Sequence, residues 1–177
     1  MNEEEASNQI QELLKDVNQG RPRDHKRIIE LLRALPNVAL VPFIKSGWGS
    51  GRCTILNQLV QERAPLEVVR SVVEAAPESV RAQVNDDDFL PIHTACWHKW
   101  HEKDYSDVII YLAQQYPESM MEKYKGNVEQ LPIHRLAQGE DGILKAIKYM
   151  VAQIPGLVST KDKFGFLPLH YACSPSP

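Results

Sequence analysis

Four stretches of this chain place apolar residues at the spacing of one helical face, and each stretch runs into a proline. The prolines are Pro36, Pro77, Pro117 and Pro155, separated by 41, 40 and 38 residues. The positions eight, five, four and one before them are apolar every time: Ile28, Leu31, Leu32 and Leu35; Val69, Val72, Val73 and Ala76; Ile109, Leu112, Ala113 and Tyr116; Ile147, Met150, Val151 and Ile154. Offsets of i, i+3, i+4 and i+7 fall on one side of an α-helix. The pattern therefore predicts four helices with a buried stripe. Proline has no amide hydrogen and turns its predecessor away from helical geometry, so it marks where each helix stops.

A second element recurs between them. Leu90-Pro91-Ile92-His93-Thr94-Ala95-Cys96, Leu131-Pro132-Ile133-His134-Arg135-Leu136-Ala137 and Leu167-Pro168-Leu169-His170-Tyr171-Ala172-Cys173 lie 41 and 36 residues apart. A fainter copy, Thr54-Ile55-Leu56-Asn57-Gln58-Leu59, stands 36 residues before the first. Here proline opens a helix, because the first turn has no intrahelical acceptor for its amides and a fixed φ suits it. Pro65 is expected to open a helix in the same way. One unit thus reads as a first helix, a connection, a second helix ended by proline, and an extended polar stretch of 13 to 15 residues counted from that proline through the next motif leucine. Such periods are the mark of a stacked array.

The Leu-Pro-Ile/Leu-His-x-x-Ala/Cys element resembles the Thr-Pro-Leu-His-x-Ala-Ala start of the ankyrin repeat. Leu66-Glu67-Val68-Val69 resembles that family's second-helix opening. The stretch from Asp162 to His170 matches its Asp-x-x-Gly-x-Thr-Pro-Leu-His pattern at all but the threonine. The resemblance covers roughly residues 50 to 173. It implies an all-α, helix-turn-helix solenoid of four to five units with hairpin fingers. On that reading residues 1–53 are an amino-terminal degenerate or capping repeat. Residues 54–89 are the second repeat, 90–130 the third with a one-turn insertion, 131–166 the fourth, and 167–177 a half-repeat and tail. The resemblance also implies that the motif histidines tie neighbouring units together through both ring nitrogens.

The departures from the family carry expectations of their own. Leucine replaces threonine at 90, 131 and 167, so the side-chain oxygen that would cap the first helix is absent and capping must come from elsewhere. Asp88 and Glu129 stand where Gly165 sits, which argues against a uniform left-handed finger turn. The periods exceed the usual length of about 33 residues, which implies longer fingers or loops.

At the amino end, Ile10, Leu13, Leu14 and Val17 predict an amphipathic helix, with a second from Asp24 to Leu35 and a polar outer face suited to a solenoid end. At the other end, Leu167 to Cys173 begins a unit that runs into Ser174-Pro175-Ser176-Pro177. Either the array continues or the half-unit serves as a minimal cap; continuation is the expectation, because those four residues cannot bury the apolar side of a first helix.

Composition narrows the functional classes. The chain has 177 residues, with 43% hydrophobic and 24% charged, the balance of a globular domain. Twenty basic residues against 23 acidic ones leave a net charge of -3, so no overall positive field recruits nucleic acid. The acidic start lacks the pattern of a secretory signal, and no apolar run is long enough for a membrane span. Cys53, Cys96 and Cys173 show no disulfide spacing, which points to free thiols in a cytosolic or nuclear protein.

Candidate chemistry is thin. His93, Cys96, His98 and His101 contain zinc-ligand types, but His93 and Cys96 belong to the repeat and recur as His170 and Cys173 without further histidines. Gly47-Trp48-Gly49-Ser50-Gly51-Arg52 lacks the lysine of a phosphate loop and follows a weak strand at best, so it reads as a flexible finger. Asp86-Asp87-Asp88 lacks the further spaced oxygens of a calcium loop. No nucleophile and base share a local signature. The sequence calls for no metal, no cofactor and no catalysis, and leaves the oligomeric state open.

From His93 to Pro117 is 24 residues, against 21 and 20 in the neighbouring units, so about one helical turn is added around Trp97 to Ser106. Trp97 and Trp100 lie in it. Two readings stand: a binding knob, because tryptophan dominates interface hot spots, or a prop packed inside the array. The family resemblance implies a concave surface of finger tips and first helices that binds a protein partner. Position by position it comprises Asp86, Asp87 and Phe89; Trp97 and Trp100; Lys125, Glu129, Gln130 and Arg135; and Lys163, Phe164, Phe166 and Tyr171. The alternative is a regulatory portion of a larger enzyme whose catalytic domain lies outside this chain.

Overall fold

The computed structural model describes residues 5, 8–9, 12, 25–40, 43–45, 51–83, 89–97, 105–125, 128–139 and 143–173. They are mostly helical. Backbone contacts divide the chain into two compact units, Met1–Ala82 and Gln83–Pro177.

In the first unit, helix α1 (His25–Ala34) buries Ile28, Leu31 and Leu32, the stripe that the spacing predicts. A short hairpin follows. Strand β1 (Phe43–Lys45) pairs antiparallel with β2 (Gly51–Cys53), in the register Phe43 to Cys53 and Lys45 to Gly51. Of the glycine-rich segment, expected as a flexible finger after a weak strand, Gly51 and Arg52 belong to β2, and Gly47 to Ser50 lie outside the described residues. Helix α2 (Ile55–Gln61) and helix α3 (Leu66–Ala75) then pack on each other, and α3 also packs on α1. The amino-terminal residues Glu5, Asn8, Gln9 and Glu12 are helical and exposed. The apolar set Ile10, Leu13, Leu14 and Val17 lies outside the described residues.

The second unit repeats one arrangement. First helices α4 (Pro91–Trp97), α6 (Pro132–Leu136) and α8 (Pro168–Ala172) pack side by side. Second helices α5 (Ser106–Gln115) and α7 (Leu144–Gln153) form a parallel row, with α4 against α5 and α6 against α7. Each first helix opens on its motif proline. In α5, Ile109, Leu112 and Ala113 are buried while Gln114 is exposed, as the register predicts. Burying each large aliphatic side chain of this kind contributes about 1.5–3 kcal/mol.

The prolines after the second helices do more than stop them. In three copies the residue before proline adopts one extended conformation: Ala76 at φ -144°, ψ 83°, Tyr116 at -142°, 82° and Ile154 at -137°, 86°. The clash with the proline ring forbids the helical alternative there. Each proline then starts a 3-10 turn, over Pro77–Arg81, Pro117–Met120 and Pro155–Ser159. A fourth such turn, Pro36–Leu40, follows α1.

Candidate functional site

The third residue of each first helix fixes the local architecture. Leucine at the cap position offers no side-chain oxygen, and the histidine supplies what is missing from the opposite direction. The amide N–H of Leu90 donates to His93 Nδ1 at 3.1 Å, that of Leu131 to His134 Nδ1 at 3.2 Å, and that of Leu167 to His170 Nδ1 at 2.8 Å. The ring thus occupies an amide at the helix start that would otherwise lack a partner. On its far side, His93 Nε2 donates to the carbonyl of Glu122 at 2.8 Å, and His134 Nε2 to that of Thr160 at 3.1 Å. Both acceptors follow the 3-10 turn of the same repeat. This corrects the expectation from the family: in these two copies the histidine joins the beginning of a repeat to its own end.

These bonds fix the tautomer, with the proton on Nε2 and a bare Nδ1. Burial pushes both histidines below their ordinary pKa, against the opposing pull of the backbone carbonyls. They are neutral rings with both nitrogens committed, so His93 has no lone pair to offer a metal. No group of three metal-ligating side chains occurs among the described residues; His98 and His101 lie outside them.

Around His93 the aromatic residues converge. Phe89 stacks on Tyr124 with ring centroids 4.6 Å apart and meets Trp97 edge-on at 5.1 Å, while Trp97 meets Tyr124 at 5.4 Å. The Arg135 guanidinium, carried by α6, lies 3.5 Å from the centre of the Trp97 ring. It also donates to the Tyr124 hydroxyl at 3.1 Å and to Gln138 Oε1 at 3.2 Å. Trp97 is nevertheless 41% exposed. The indole is therefore held by these contacts and remains partly exposed. Arg135 over an indole face adds a cation–π attraction of about 0.5–2 kcal/mol.

Gln130 corrects the predicted surface. It is 1% exposed, not a finger-tip contact, and accepts from the Tyr124 hydroxyl at 3.3 Å. A polar side chain is tolerated there because its amide is satisfied. Glu129 and Lys163 form a long ion pair at 3.8 Å between half-exposed side chains, worth little in water. Lys125 is exposed. Asp86, Asp87 and Trp100 lie outside the described residues.

The finger of the fourth repeat is organised by one carboxylate. Asp162 Oδ1 accepts from the amides of Phe164 and Phe166, each at 2.9 Å, and Oδ2 accepts from the Tyr171 hydroxyl. Burial alone would raise the carboxyl's pKa, but these three hydrogen bonds outweigh it and hold the group below its ordinary value. The Tyr171 hydroxyl, through burial and the charge it faces, is pushed up to about 12. Phe164 and Phe166 are exposed on this frame. The backbone binds the two fingers together, Lys163 N–H donating to Val128 O at 3.1 Å.

Of the residues the sequence nominates, the structure gathers Phe89, Trp97 and Arg135 into one patch, and Phe166 and Tyr171 into a second. Tyr124 and Asp162 organise these patches and were not nominated. Asp162 has a signal, the Asp-x-x-Gly turn; Tyr124 has none, since it meets Phe89 and Arg135 only in three dimensions. No helix among the described residues is long and apolar enough to cross a membrane. Compared with known proteins, the sequence matches no family model and no curated relative.

Proposed function

We propose that the chain is a non-catalytic, ankyrin-like interaction module that binds a protein partner through the first-helix and finger face of its second unit. The observation that carries this is Trp97, 41% exposed yet fixed by Phe89, Tyr124 and Arg135. An exposed aromatic already held in one position loses little conformational entropy on binding, the property that makes tryptophan and arginine frequent hot spots. Phe164 and Phe166, on the neighbouring finger, extend the apolar surface.

The test is affinity capture with the full chain, comparing proteins retained by the wild type with those retained by Trp97→Ala and by Arg135→Ala. Trp97→Ala should lower capture of the specific partner at least tenfold, as expected of a hot spot worth about 2 kcal/mol or more. It should leave helicity unchanged by circular dichroism. A partner set unaffected by both substitutions places binding elsewhere and defeats this reading.

A further inference from the structure

The segments that follow the 3-10 turns of the third and fourth repeats alternate in the same way. Lys123 and Lys125 are exposed on either side of buried Tyr124, and Lys161 and Lys163 are exposed on either side of buried Asp162. The inward residue organises its finger, and the alternation turns both of its neighbours outward. Lys123 Nζ donates to the carbonyl of Lys161 at 3.1 Å, and Lys163 N–H to that of Val128 at 3.1 Å, so the two fingers run side by side. The fold does not call for a cation here, since the second repeat has Gln83 at the position of Lys123 and Lys161. Nor do the acids beside them neutralise Lys123 and Lys161. Asp162 commits its oxygens to two amides and a phenol, and Glu122 accepts from the Tyr116 hydroxyl. Glu129 has its long ion pair with Lys163, whereas among the described residues Lys123 and Lys161 form none. Next to Lys163 stand Phe164, 61% exposed, and Phe166, 48% exposed.

We propose that the partner segment recognised by these fingers is an acidic peptide, with carboxylates facing the lysines and an apolar side chain covering Phe164 and Phe166. This rests on the protein-binding reading above and adds the chemistry of the partner to it. Charge complementarity carries the argument. In a chain of net charge -3, the exposed lysines of two adjacent fingers set up a local positive field that selects an anionic segment. A compact ammonium on a flexible stem suits the separate carboxylates of a peptide. A nucleic-acid strand calls instead for a positive groove that tracks its phosphates, and here Glu122 and Glu129 stand among the lysines.

The test is selection of a random twelve-residue peptide display library on the full chain. Selected sequences should be at least threefold enriched in Asp and Glu over the starting library, with an apolar residue among them. A synthetic peptide of the consensus, titrated by fluorescence anisotropy, should bind Lys161→Glu with Lys163→Glu at least tenfold more weakly. The neutral pair Lys161→Gln with Lys163→Gln should weaken it severalfold, and added salt should weaken it as well. Lys26→Glu with Lys148→Glu changes the net charge by the same amount at exposed lysines of α1 and α7, and should leave binding intact. All these side chains are exposed, so circular dichroism should stay unchanged. Peptides without acidic enrichment, no selected peptide at all, or binding indifferent to the finger lysines overturns the proposal. So does tighter binding of a twelve-nucleotide single strand, or of phosphatidylserine vesicles, than of the consensus peptide, since the anion is then a nucleic acid or a membrane. Peptides that lack acids but are lost on Trp97→Ala overturn it while sparing the protein-binding reading. That reading fails separately, by capture indifferent to both Trp97→Ala and Arg135→Ala.

Discussion

The third and fourth repeats build the same backbone with different chemistry. Each has a histidine that caps its own helix and reaches the carbonyl beyond the 3-10 turn. Two residues past that carbonyl, at equivalent positions, stand Tyr124 and Asp162. Tyr124 organises its surroundings by ring stacking and a hydroxyl shared between Arg135 and Gln130. Asp162 does so by receiving two amides and a phenol on one carboxylate. The shared histidine sets the common geometry, and the variable residue decides what the finger presents: a pinned indole in one repeat, two exposed phenylalanines in the other. The difference also separates their responses to acid, because one of the two hubs is a carboxylate.

The strongest test of the common part is to remove it. His93→Ala and His134→Ala each leave a buried amide and a half-buried carbonyl without the histidine partner and open a space the size of the ring. Each should cost about 2–4 kcal/mol in chemical denaturation, from two unmet polar groups at roughly 1–2 kcal/mol apiece. The second repeat offers a contrast, since Asn57 reaches the equivalent carbonyl, Ala82 O, at 3.3 Å while Thr54 supplies the cap. Asn57→Ala keeps that threonine, so its cost should be the smaller, about 1–2 kcal/mol. Equal costs at all three positions break the assignment of a double role to the histidines.

Acid should act in two stages, the first on both repeats and the second on the fourth alone. Both histidines have folded-state pKa values below the unfolded value of about 6.5, so the neutral ring is the form the fold prefers. Their contribution is complete above that pH and is lost as pH falls from there toward the folded values. Protonating Nδ1 sets an N–H against the N–H of Leu90 or Leu131. Asp162 has the same sign in a lower window: its stabilisation holds above the ordinary carboxylate range and fades below about 4. Stability measured from pH 7.5 to 3 should therefore decline in two stages. His93→Gln with His134→Gln should flatten the first stage, and Asp162→Asn the second. A single stage that both sets of variants shift alike contradicts the separation.

What was legible beforehand follows from what each feature depends on. Helix faces depend on local periodicity, and Ile109, Leu112 and Met150 are buried as their spacing requires. The last second helix departs from its stripe at Ile147, Val151 and Ile154, which are half-buried because cover is a property of the neighbour rather than of the helix. Among the nominated site residues, Phe89, Trp97 and Arg135 come together because repeat position fixes where a side chain starts. Gln130 fails because repeat position does not say whether a glutamine finds a buried partner. Tyr124 needs backbone geometry that pattern alone does not hold, whereas the non-helical residue before each proline follows from the proline itself.

The smallest expected effect concerns the turn that closes each finger. Gly165 has φ +85°, in the left-handed region, and the equivalent Glu129 has φ +47°. Against the expectation of a non-uniform turn, these two repeats share the left-handed conformation, while Asp88 lies outside the described residues; the third repeat carries the conformational cost of a side chain there. Glu129→Gly should relieve that cost and raise stability by about 0.5–1 kcal/mol, offset by the weak ion pair to Lys163. The reciprocal change, Gly165→Ala, places a Cβ in open space, so it tests backbone strain without a clash. It should lower stability by a similar amount. If Glu129→Gly is neutral while Gly165→Ala is costly, the left-handed turn is a requirement of the Asp162 frame alone, and the third repeat's finger is held by the stacking of Phe89 on Tyr124 irrespective of its turn.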